Sequence, residues 1–334
     1  MRRPHRSIEI TDRSSVGEAR RIAMAAAESL GFNDDRRSDI GIVATEAANN
    51  VLTHAGKGQL LVCPQAAAPG AALDLIGLDR GPGIREMSRA FEDGFSTAGT
   101  AGHGLGAMER LSDLLSVYSA PGLGTALFSR FQQRPPVDPA ALGVVSIAQR
   151  GETLCGDSYV ALPGGERSLY MVVDGLGHGA NAHEAAEEAV QALREAPEDS
   201  PAQILARAHD ALKKTRGAAM SVAAVNHGRQ TVSYAGVGNI AAFLFHAGSM
   251  RSMVSQNGTV GMVLPTLREY TYPFEPGSLL VMHSDGLSSR SSISGYPGLG
   301  ARPPGLVAGV LYRDFSRGRD DATVLTAVLK GARN

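Results

Sequence analysis

The chain contains few of the residue types that mark disulfide-rich, membrane-spanning or nucleic-acid-binding proteins. Its 334 residues include two cysteines, no tryptophan and only 5% aromatic residues. Because Cys63 and Cys155 cannot form a disulfide framework, they favour a reducing compartment. No segment approaches the roughly 20 consecutive apolar residues of a membrane-spanning helix. The sequence therefore predicts a cytoplasmic protein that does not associate with a membrane.

Neither sign of charge dominates the chain. Lys and Arg number 32 and Asp and Glu number 33, which gives a net charge of -1, and the basic residues are not clustered. Proteins that bind a nucleic-acid backbone carry a basic patch, so we expect no nucleic-acid partner. The basic start of the chain is followed by Ile8-Glu9-Ile10 instead of an apolar secretory core, so we expect no signal peptide. Nucleotides and proteins are the expected partners.

Length and proline distribution predict two domains joined by a linker. A chain of 334 residues exceeds the size at which a single hydrophobic core usually stops growing. Prolines cluster at residues 135–139, between two regions with regular apolar patterns. We therefore expect a first domain at residues 1–132, a linker at residues 133–142 and a second domain at residues 143–331.

Apolar periodicity predicts an α+β fold in both domains. In the first domain, helices are expected from a Ser15–Glu18 capping box to Gly31 and from about Asp35 to His54. Its strands are expected at residues 59–63, 73–78, 114–119 and 125–131. Strands of the second domain are expected at residues 144–148, 170–173, 221–225, 232–235, 241–246, 279–283 and 323–329. Two helices of the second domain, at about residues 182–195 and 201–214, should pack on the outside of its strands. The first domain is thus predicted to be a sandwich of helices over one sheet.

Three groups of residues in the first domain have the chemistry of a nucleotide site. Glu46 and Asn50 lie four residues apart, so they project from one side of a helix. An Asn oxygen can bind the Mg²⁺ that bridges nucleotide phosphates, and a carboxylate one turn away can act as a base. Asp79 follows an apolar strand and can accept a hydrogen bond from an adenine amine, while Gly81 and Gly83 let the backbone bend around the ring.

A glycine-rich loop completes this set. Gly102, Gly104 and Gly106 precede a predicted helix, an arrangement that directs free amide groups at phosphate. Each group alone also fits an ordinary role, as a solvated helix face, a turn or a connecting loop. Their occurrence in this order favours a nucleotide site.

In this order the motifs resemble the ATP-binding GHKL fold, specifically the anti-sigma serine kinases and RsbT-like kinases. The segments that carry the resemblance are residues 46–54, 79–84 and 102–106 and the pair Gly124-Thr125. The resemblance implies that Glu46 is the catalytic base, that Asn50 binds Mg²⁺ and that Asp79 contacts adenine. The other residues that it places at the nucleotide are Gly81, Gly83, Gly102, Gly104, Gly106 and Thr125. No dimerisation helix with a phosphoacceptor histidine precedes the motifs, so serine or threonine is the expected acceptor.

Aspartates in the second domain have the pattern of a divalent metal site. Asp174 ends one apolar strand and Asp285 follows another, and each precedes a glycine that leaves room for a cation. Carboxylates from separate strand ends can hold two cations, which activate water and neutralise phosphate. Hard oxygen ligands favour Mg²⁺ or Mn²⁺ over zinc. A single Asp-Gly pair is usually a turn, but the chain also contains Asp157 and the pair Asp320-Asp321.

These segments resemble the SpoIIE and RsbX branch of the metal-dependent type 2C serine/threonine phosphatases. The matching segments are residues 155–158, 174–179, 236–239, 283–287 and 319–323. The resemblance implies an αββα sandwich in which Asp174 bridges two cations and the Gly175 carbonyl holds one of them. Asp285 and Asp320 would hold the other cation, and Asp157 would support the metal-bound water. The sequence leaves open whether Asp321 takes the place of Asp320.

Two further residues receive no role from the resemblance. Larger members of the phosphatase family place a phosphate-binding arginine a few residues before the first aspartate, whereas Arg150 lies seven residues before Asp157. His178 lies between two glycines and fits a general acid or a structural cap equally well.

Together the two resemblances predict an enzyme that sets the phosphorylation of a small STAS-domain antagonist of an anti-sigma factor, in a bacterial partner-switching stress response. The second domain would remove the phosphate with Mg²⁺ or Mn²⁺, and the first would add it from ATP. One alternative is a binding module that regulates its neighbour without transferring phosphate. Another is an anti-sigma factor that sequesters a sigma factor. All three use the same ATP pocket, so the sequence does not separate them.

Overall fold

The computed structural model describes residues 4–67, 70–84, 104–133 and 141–331. It divides into two units, which consist of residues 1–139 with 305–313 and of residues 140–304 with 314–334. Gly102, which the sequence analysis places at the nucleotide, lies outside the described residues, as does most of the expected linker.

Helix α1 (Arg13–Leu30) begins one turn earlier than its predicted capping box. Its N-cap is Asp12, whose carboxylate accepts hydrogen bonds from the backbone amides of Ser14 and Ser15. The Ser15 hydroxyl completes the box from the third helical position, so the expectation that Ser15 caps the helix was wrong. Gly31 ends the helix in the left-handed conformation, with φ 82, as expected from the sequence.

Helix α2 (Asp34–Ala55) carries the first candidate site. Asn33 caps its start, two aspartates occupy its first turn, and Gly56 ends it with φ 72. Its buried residues recur at helical spacing and include Ile40, Val43, Ala47 and Val51. The polar residues beside this apolar stripe are thereby fixed at one edge of the helix.

The sheet of the first unit is antiparallel throughout. Its strands are β1 (Arg6–Ile10), β2 (Gly58–Ala67), β3 (Gly70–Asp79), β4 (Leu114–Ser119) and β5 (Thr125–Gln132), and the short helix α3 (Gly104–Leu111) precedes β4. The strand order is β1-β2-β3-β5-β4. Alternate residues of β3 and β5, among them Leu73, Leu75 and Leu127, face helices α1 and α2 and form the core with them. Strand β1 was not predicted from the sequence.

The second unit contains two five-stranded antiparallel sheets. Its elements are β6 (Leu142–Ile147), β7 (Asp157–Leu162), β8 (Arg167–Gly175), α4 (Ala180–Glu195), α5 (Pro201–Ala211), β9 (Ala218–Asn226), β10 (Thr231–Val237), β11 (Ala241–His246), β12 (Ser249–Ser252), β13 (Tyr270–Pro273), β14 (Leu279–His283) and β15 (Ala322–Val328). Helix α6 (Pro304–Phe315) lies between β14 and β15 in the sequence, and most of it belongs to the first unit. The strand orders are β13-β10-β9-β8-β7 and β12-β11-β14-β15-β6. Strands β7, β12 and β13 and helix α6 were not predicted from the sequence.

The two sheets of this unit enclose one core, and helices cover the outer face of one sheet. Tyr170 and Val172 of β8 share a buried cluster with Leu280 of β14 and Leu325 of β15. Neighbouring residues of β8 and β9 face the other way and pack against helices α4 and α5. The predicted α+β class is confirmed in both units. No helix among the described residues is both long and apolar enough to cross a membrane.

Residues 305–313 of helix α6 belong to the first unit although they lie near the end of the sequence. A Cβ atom at Gly309 would lie 2.7 Å from a methyl carbon of Ile76, and one at Gly305 would overlap the ring of Phe128. Glycine at these positions lets the helix lie close to the sheet. The same glycines weaken the helical propensity of the segment, which explains why the sequence did not predict it.

An ion pair is buried on the sheet face opposite α1 and α2. Asp74 of β3 and Arg130 of β5 are register partners, and two hydrogen bonds of 2.6 and 2.7 Å join them. Their side chains are only 1% and 7% exposed. Because the desolvation of a buried charge is offset only by its partner, each charge depends on the other.

We expect Asp74→Ala to lower the free energy of unfolding by about 3–5 kcal/mol, since it leaves the Arg130 guanidinium buried without its carboxylate. Chemical denaturation followed by circular dichroism measures this change. The double variant Asp74→Leu/Arg130→Met removes both charges and should recover most of the loss. A loss below about 1 kcal/mol in the single variant would contradict the account.

Candidate active sites

Glu46 and Asn50 face the start of helix α3. Both residues are half-buried on α2. A Cβ atom at Gly104 would lie 3.3 Å from Glu46 Oε2 and 3.8 Å from Asn50 Oδ1. The first residue of α3 therefore lies beside the predicted base and the predicted Mg²⁺ ligand, and Gly106 is buried two residues further on. The structure thus brings the end of the glycine loop to the helix that carries Glu46 and Asn50.

Asp79 lies at the end of β3 and is held by main-chain amides. Its Oδ1 accepts hydrogen bonds from the amides of Gly81, at 2.8 Å, and Thr125, at 3.1 Å. Asp79 is 7% exposed, and burial raises the pKa of its carboxyl, while these hydrogen bonds and the Arg313 charge oppose the rise. The carboxylate plane is therefore fixed, as recognition of a planar base requires.

The turn after Asp79 requires glycine. Gly83 has φ 78, and a Cβ atom there would lie 2.7 Å from the carbonyl carbon of Ala120. A Cβ atom at Gly81 would lie 2.9 Å from the Ala55 side chain, at the end of α2. Both predicted glycines thus mark close approaches of the backbone around Asp79.

Arg313 is a residue of this site that the sequence analysis missed. Its guanidinium donates hydrogen bonds to the carbonyl oxygens of Asp79, at 2.9 Å, and Thr125, at 3.3 Å. It is 7% exposed. No sequence motif signals this role, because Arg313 reaches the site only through the packing of residues 305–313 on the sheet.

In the second unit the predicted aspartates lie at neighbouring strand ends. Asp157 begins β7 and Asp174 lies at the end of β8, and the two are register partners. Asp285 follows β14 by two residues and Asp320 precedes β15 by two, and β14 and β15 pair side by side. Strand ends from both sheets therefore meet at one edge of the sandwich.

Three of these carboxylates line one cavity of about 680 Å³, together with residues from neighbouring loops and from strand β9. The lining residues are Gln149, Asp174, Leu176, Gly177, His178, Ala219, Gly238, Asn239, Asn257, Gly258, Thr259, Asp285, Arg319 and Asp320. A volume of this size accommodates a phosphorylated side chain with its flanking residues. The sequence-predicted motifs of the second domain thus converge on one site.

Burial and mutual repulsion raise the pKa values of two of the aspartates strongly. Burial, together with the charges of Asp157 and Asp285, raises the pKa of Asp174 to about 9. Burial, with the charge of Asp321, also raises the pKa of Asp157 to about 8, against a hydrogen bond from Ser284. Like charges that share a site favour protonation or the binding of a cation.

Asp320 and Asp321 have different surroundings. Asp320 lines the cavity, and its Oδ1 accepts a hydrogen bond from the Asp321 amide. Asp321 is only 3% exposed, and its Oδ1 accepts a hydrogen bond of 2.8 Å from the Gln149 amide. Of this pair, Asp320 lines the cavity, whereas Asp321 joins the Gln149 segment to the start of β15.

The donor atoms of this site suit a hard divalent cation. All of them are oxygens, and Asp157 Oδ1 is buried without a hydrogen-bond partner among the described residues. As placed, no group of three or more His, Cys, Asp or Glu side chains in the described part of the chain is arranged to hold a metal. Cation binding at this site therefore requires carboxylate side chains to turn towards each other.

Two polar contacts at the cavity were not predicted. Asn239 donates a hydrogen bond of 2.6 Å to Asp285, which fixes the orientation of that carboxylate. His178 Nδ1 lies 2.7 Å from Glu152 Oε1. The sequence motif that contains Asn239 was recognised, but the motif alone does not reveal its partner.

Comparison with known proteins identifies both halves of the chain. Residues 10–129 match the family of histidine kinase-like ATPase domains, and residues 164–329 match the family of stage II sporulation protein E (SpoIIE). The serine/threonine-protein kinase RsbT of Bacillus subtilis (strain 168) is 35% identical over 120 residues, which are 36% of this chain and 90% of RsbT. The chain belongs to the RsbT family. It differs from RsbT in carrying a SpoIIE-type domain on the same chain.

The relatives of the second half are phosphatases. The phosphoserine phosphatase RsbX of Bacillus subtilis (strain 168) is 27% identical over 147 residues, which are 43% of this chain and 73% of RsbX. A crystal structure of RsbX in complex with magnesium covers 58% of this chain and 98% of its own, with 22% identity and a TM-score of 0.52. This member of the RsbT family is thus a serine/threonine phosphatase with a kinase-like ATPase domain, and both predicted resemblances are confirmed.

The raised pKa values predict how pH changes the stability of this RsbT-family protein. Because the folded-state pKa values of Asp157 and Asp174 exceed the ordinary value of 3.8, their contribution to stability is complete below that value. It is lost as the pH rises through about 8 and 9. A divalent cation favours the ionised carboxylates, so stabilisation by Mn²⁺ should increase from about pH 6 to about pH 8.5.

Thermal melting with EDTA and with Mn²⁺ at both pH values checks this prediction. The variant Asp157→Asn/Asp174→Asn should show a flatter dependence on pH. A stabilisation by Mn²⁺ that is the same at both pH values would contradict the assignment.

We expect Arg313→Ala to weaken ATP binding about 5- to 30-fold, because its hydrogen bonds hold the main-chain carbonyls of Asp79, the predicted adenine contact, and of Thr125. Titration with a fluorescent ATP analogue measures the dissociation constant. Arg37→Ala, which removes an arginine of a surface ion pair on α2, is the matched control and should bind normally. Equal affinities of Arg313→Ala and the unaltered protein would exclude this role.

Proposed function

We propose that this chain is a bifunctional switch enzyme that sets the phosphorylation of a protein on serine or threonine. Residues 143–331, apart from the segment 305–313 that belongs to the first unit, form the phosphatase domain, which removes the phosphate with Mg²⁺ or Mn²⁺. Residues 1–132 form the ATP-binding domain, which adds it. The target is a small STAS-domain antagonist in a partner-switching pathway. The observation that carries this proposal is the meeting of Asp174, Asp285 and Asp320 in one cavity.

The dephosphorylation rests on Asp174, the Gly175 carbonyl, Asp285 and Asp320 as cation ligands. When bound, divalent cations supply an activated water and neutralise the charge of the phosphoryl group. Asn239 keeps Asp285 directed into the cavity through its hydrogen bond. Position 175 requires glycine, since a Cβ atom there would lie 2.7 Å from the carbonyl carbon of Ala182.

Asp157 supports the site from behind. It is 4% exposed, and its Oδ2 accepts a hydrogen bond of 2.6 Å from the Ser284 hydroxyl. The same hydroxyl accepts a hydrogen bond from the Thr323 amide, so β7, β14 and β15 are joined at this point. Asp157 Oδ1, which has no hydrogen-bond partner among the described residues, would be the acceptor that supports a bound cation.

A protein substrate is favoured by exposed apolar side chains beside the cavity. Leu176 lines the cavity and is 42% exposed, and Met262 and Val263 are 64% and 69% exposed. They lie near each other, because the Leu176 amide donates to the Gly217 carbonyl and a Cβ atom at Gly217 would lie 3.1 Å from Met262. Exposed apolar groups at a site rim are typical of surfaces that bind proteins.

Phosphate transfer by the first domain rests on three residues. Asp79, fixed by two main-chain amides, would bind the adenine amine, and Asn50 would hold the Mg²⁺ of the nucleotide. Glu46 lies one turn before Asn50, beside Gly104, where it can accept the proton of a serine or threonine hydroxyl. The first turn of α3, with Gly104 and Gly106, would offer its free backbone amides to the phosphates.

We expect Asp174→Asn to lower kcat/KM for a serine-phosphorylated STAS-domain antagonist at least about a thousandfold in Mn²⁺, because it removes the ligand shared by both cations. Release of inorganic phosphate measures the rate. Asp210→Asn, on the exposed surface of α5, is the matched control and should retain full activity. Unchanged turnover in Asp174→Asn would remove the phosphatase proposal.

In the Asp174→Asn background, which blocks phosphate removal, label from γ-labelled ATP should appear on the unphosphorylated antagonist. Adding Glu46→Gln should lower this transfer by about 10²- to 10⁴-fold while ATP still binds, because only the base is lost. Autoradiography measures the label, and nucleotide titration measures the binding. Bound ATP without any transfer would favour a regulatory binding module instead. Stable complex formation with a sigma factor would favour an anti-sigma module.

A further inference from the structure

The cavity of the second unit contains an arginine to which neither the motifs nor the comparisons assign a role. Arg319 lines the cavity beside Asp174, Asp285 and Asp320. Its side chain is exposed, and its guanidinium forms no ion pair or hydrogen bond with any residue that the structure describes. An arginine next to several carboxylates usually pairs with one of them. A guanidinium left without such a partner is available to an anion that enters the cavity.

The backbone holds Arg319 close to the cation ligands. The amide of Arg317 donates a hydrogen bond of 2.8 Å to the carbonyl of Gly286, which directly follows Asp285. Leu287 and Ser316 form an isolated β-bridge at the same point. The segment that carries Arg319 is therefore hydrogen-bonded to the segment that carries Asp285. Asp320 is the next residue after Arg319 in the sequence.

A phosphate monoester needs this type of group. Its dianion is bound through its terminal oxygens, and the planar fork of a guanidinium donates to two such oxygens at once. Arg150, the other arginine considered in this region, is exposed and does not line the cavity. Of the two arginines, only Arg319 is placed to reach a phosphoryl group held at the aspartates.

We propose that Arg319 binds the phosphoryl oxygens of the phosphoprotein substrate and of the phosphate product. This inference rests on the proposed phosphatase function and names the residue that holds the reacting group. Its hydrogen bonds keep the phosphorus above the aspartate cluster and set the affinity for phosphate, while the metal ligands remain Asp174, Asp285 and Asp320. It follows that loss of Arg319 raises both KM and the inhibition constant of inorganic phosphate.

The test compares Arg319→Ala, Arg319→Lys and the matched control Arg150→Ala with the unaltered full-length protein. In Mn²⁺, steady-state kinetics on a serine-phosphorylated protein gives KM, kcat and the inhibition constant of inorganic phosphate. Calorimetric titration of the Mn²⁺-loaded protein with inorganic phosphate gives its affinity without turnover. Titration with Mn²⁺ alone and thermal melting report on the metal site and the fold.

For Arg319→Ala we expect KM and both phosphate constants to rise about tenfold or more, as for the loss of hydrogen bonds to a charged group. Arg319→Lys should recover part of this loss, because it restores the charge but not the two-pronged geometry. Arg150→Ala should match the unaltered protein. Affinity for Mn²⁺ should stay equal or become tighter in Arg319→Ala, because a positive charge beside the carboxylates is removed.

The inference would be overturned if, in Arg319→Ala, the inhibition constant and the calorimetric dissociation constant of inorganic phosphate stayed within about twofold of the unaltered protein. An equal loss of phosphate affinity in Arg150→Ala would also overturn it. A drop in Mn²⁺ affinity that accounts for the whole effect would overturn it too, since Arg319 would then support the metal site. Failure of the proposed function looks different. In that case the unaltered protein does not hydrolyse the phosphoprotein, and the calorimetric titration still decides whether Arg319 binds phosphate.

Discussion

The burial of several carboxylates side by side is the constraint on which the phosphatase site depends. Asp157 and Asp174 stand opposite each other across β7 and β8, and Asp285 and Asp320 approach from the neighbouring sheet. Burial and shared charge raise the pKa values of the first two to about 8 and 9. A fold retains such an arrangement at a cost in stability, and cations offset that cost. The sandwich of two sheets is what brings these strand ends to one edge.

The nucleotide site is built on a different principle. Here the main chain fixes the polar side chain, since the amides of Gly81 and Thr125 hold Asp79 and glycines allow the backbone to approach it. Arg313 donates a hydrogen bond to the main-chain carbonyl of Asp79. A carboxylate held by rigid elements can discriminate a planar base. One chain thus combines a nucleotide site that is fixed by hydrogen bonds with a phosphatase site whose buried carboxylates need cations to offset their cost in stability.

The sequence predicted the residues whose role follows from local pattern. Asp174 and Asp285 could be found because each ends an apolar strand and precedes glycine, and Asp79 because it precedes Gly81 and Gly83. Arg313 and helix α6 could not be found, because the glycines that permit close packing also weaken the helical signal. The Asp74–Arg130 pair was missed for a related reason, since cross-strand partners far apart in sequence carry no local signature. The different surroundings of Asp320, which lines the cavity, and Asp321, which accepts a hydrogen bond from the Gln149 amide, likewise appear only in the tertiary structure.

The most direct test of the central claim is a crystal structure of the protein grown with Mn²⁺, with anomalous scattering measured at the manganese edge. The account predicts two anomalous peaks about 3.5–4 Å apart in the cavity of the second unit, both bound to Asp174. One of them should contact Asp285 and Asp320, and Asp321 should contact neither. Absence of peaks in a cavity that is otherwise well ordered, or a single peak bound by Asp321, would contradict it.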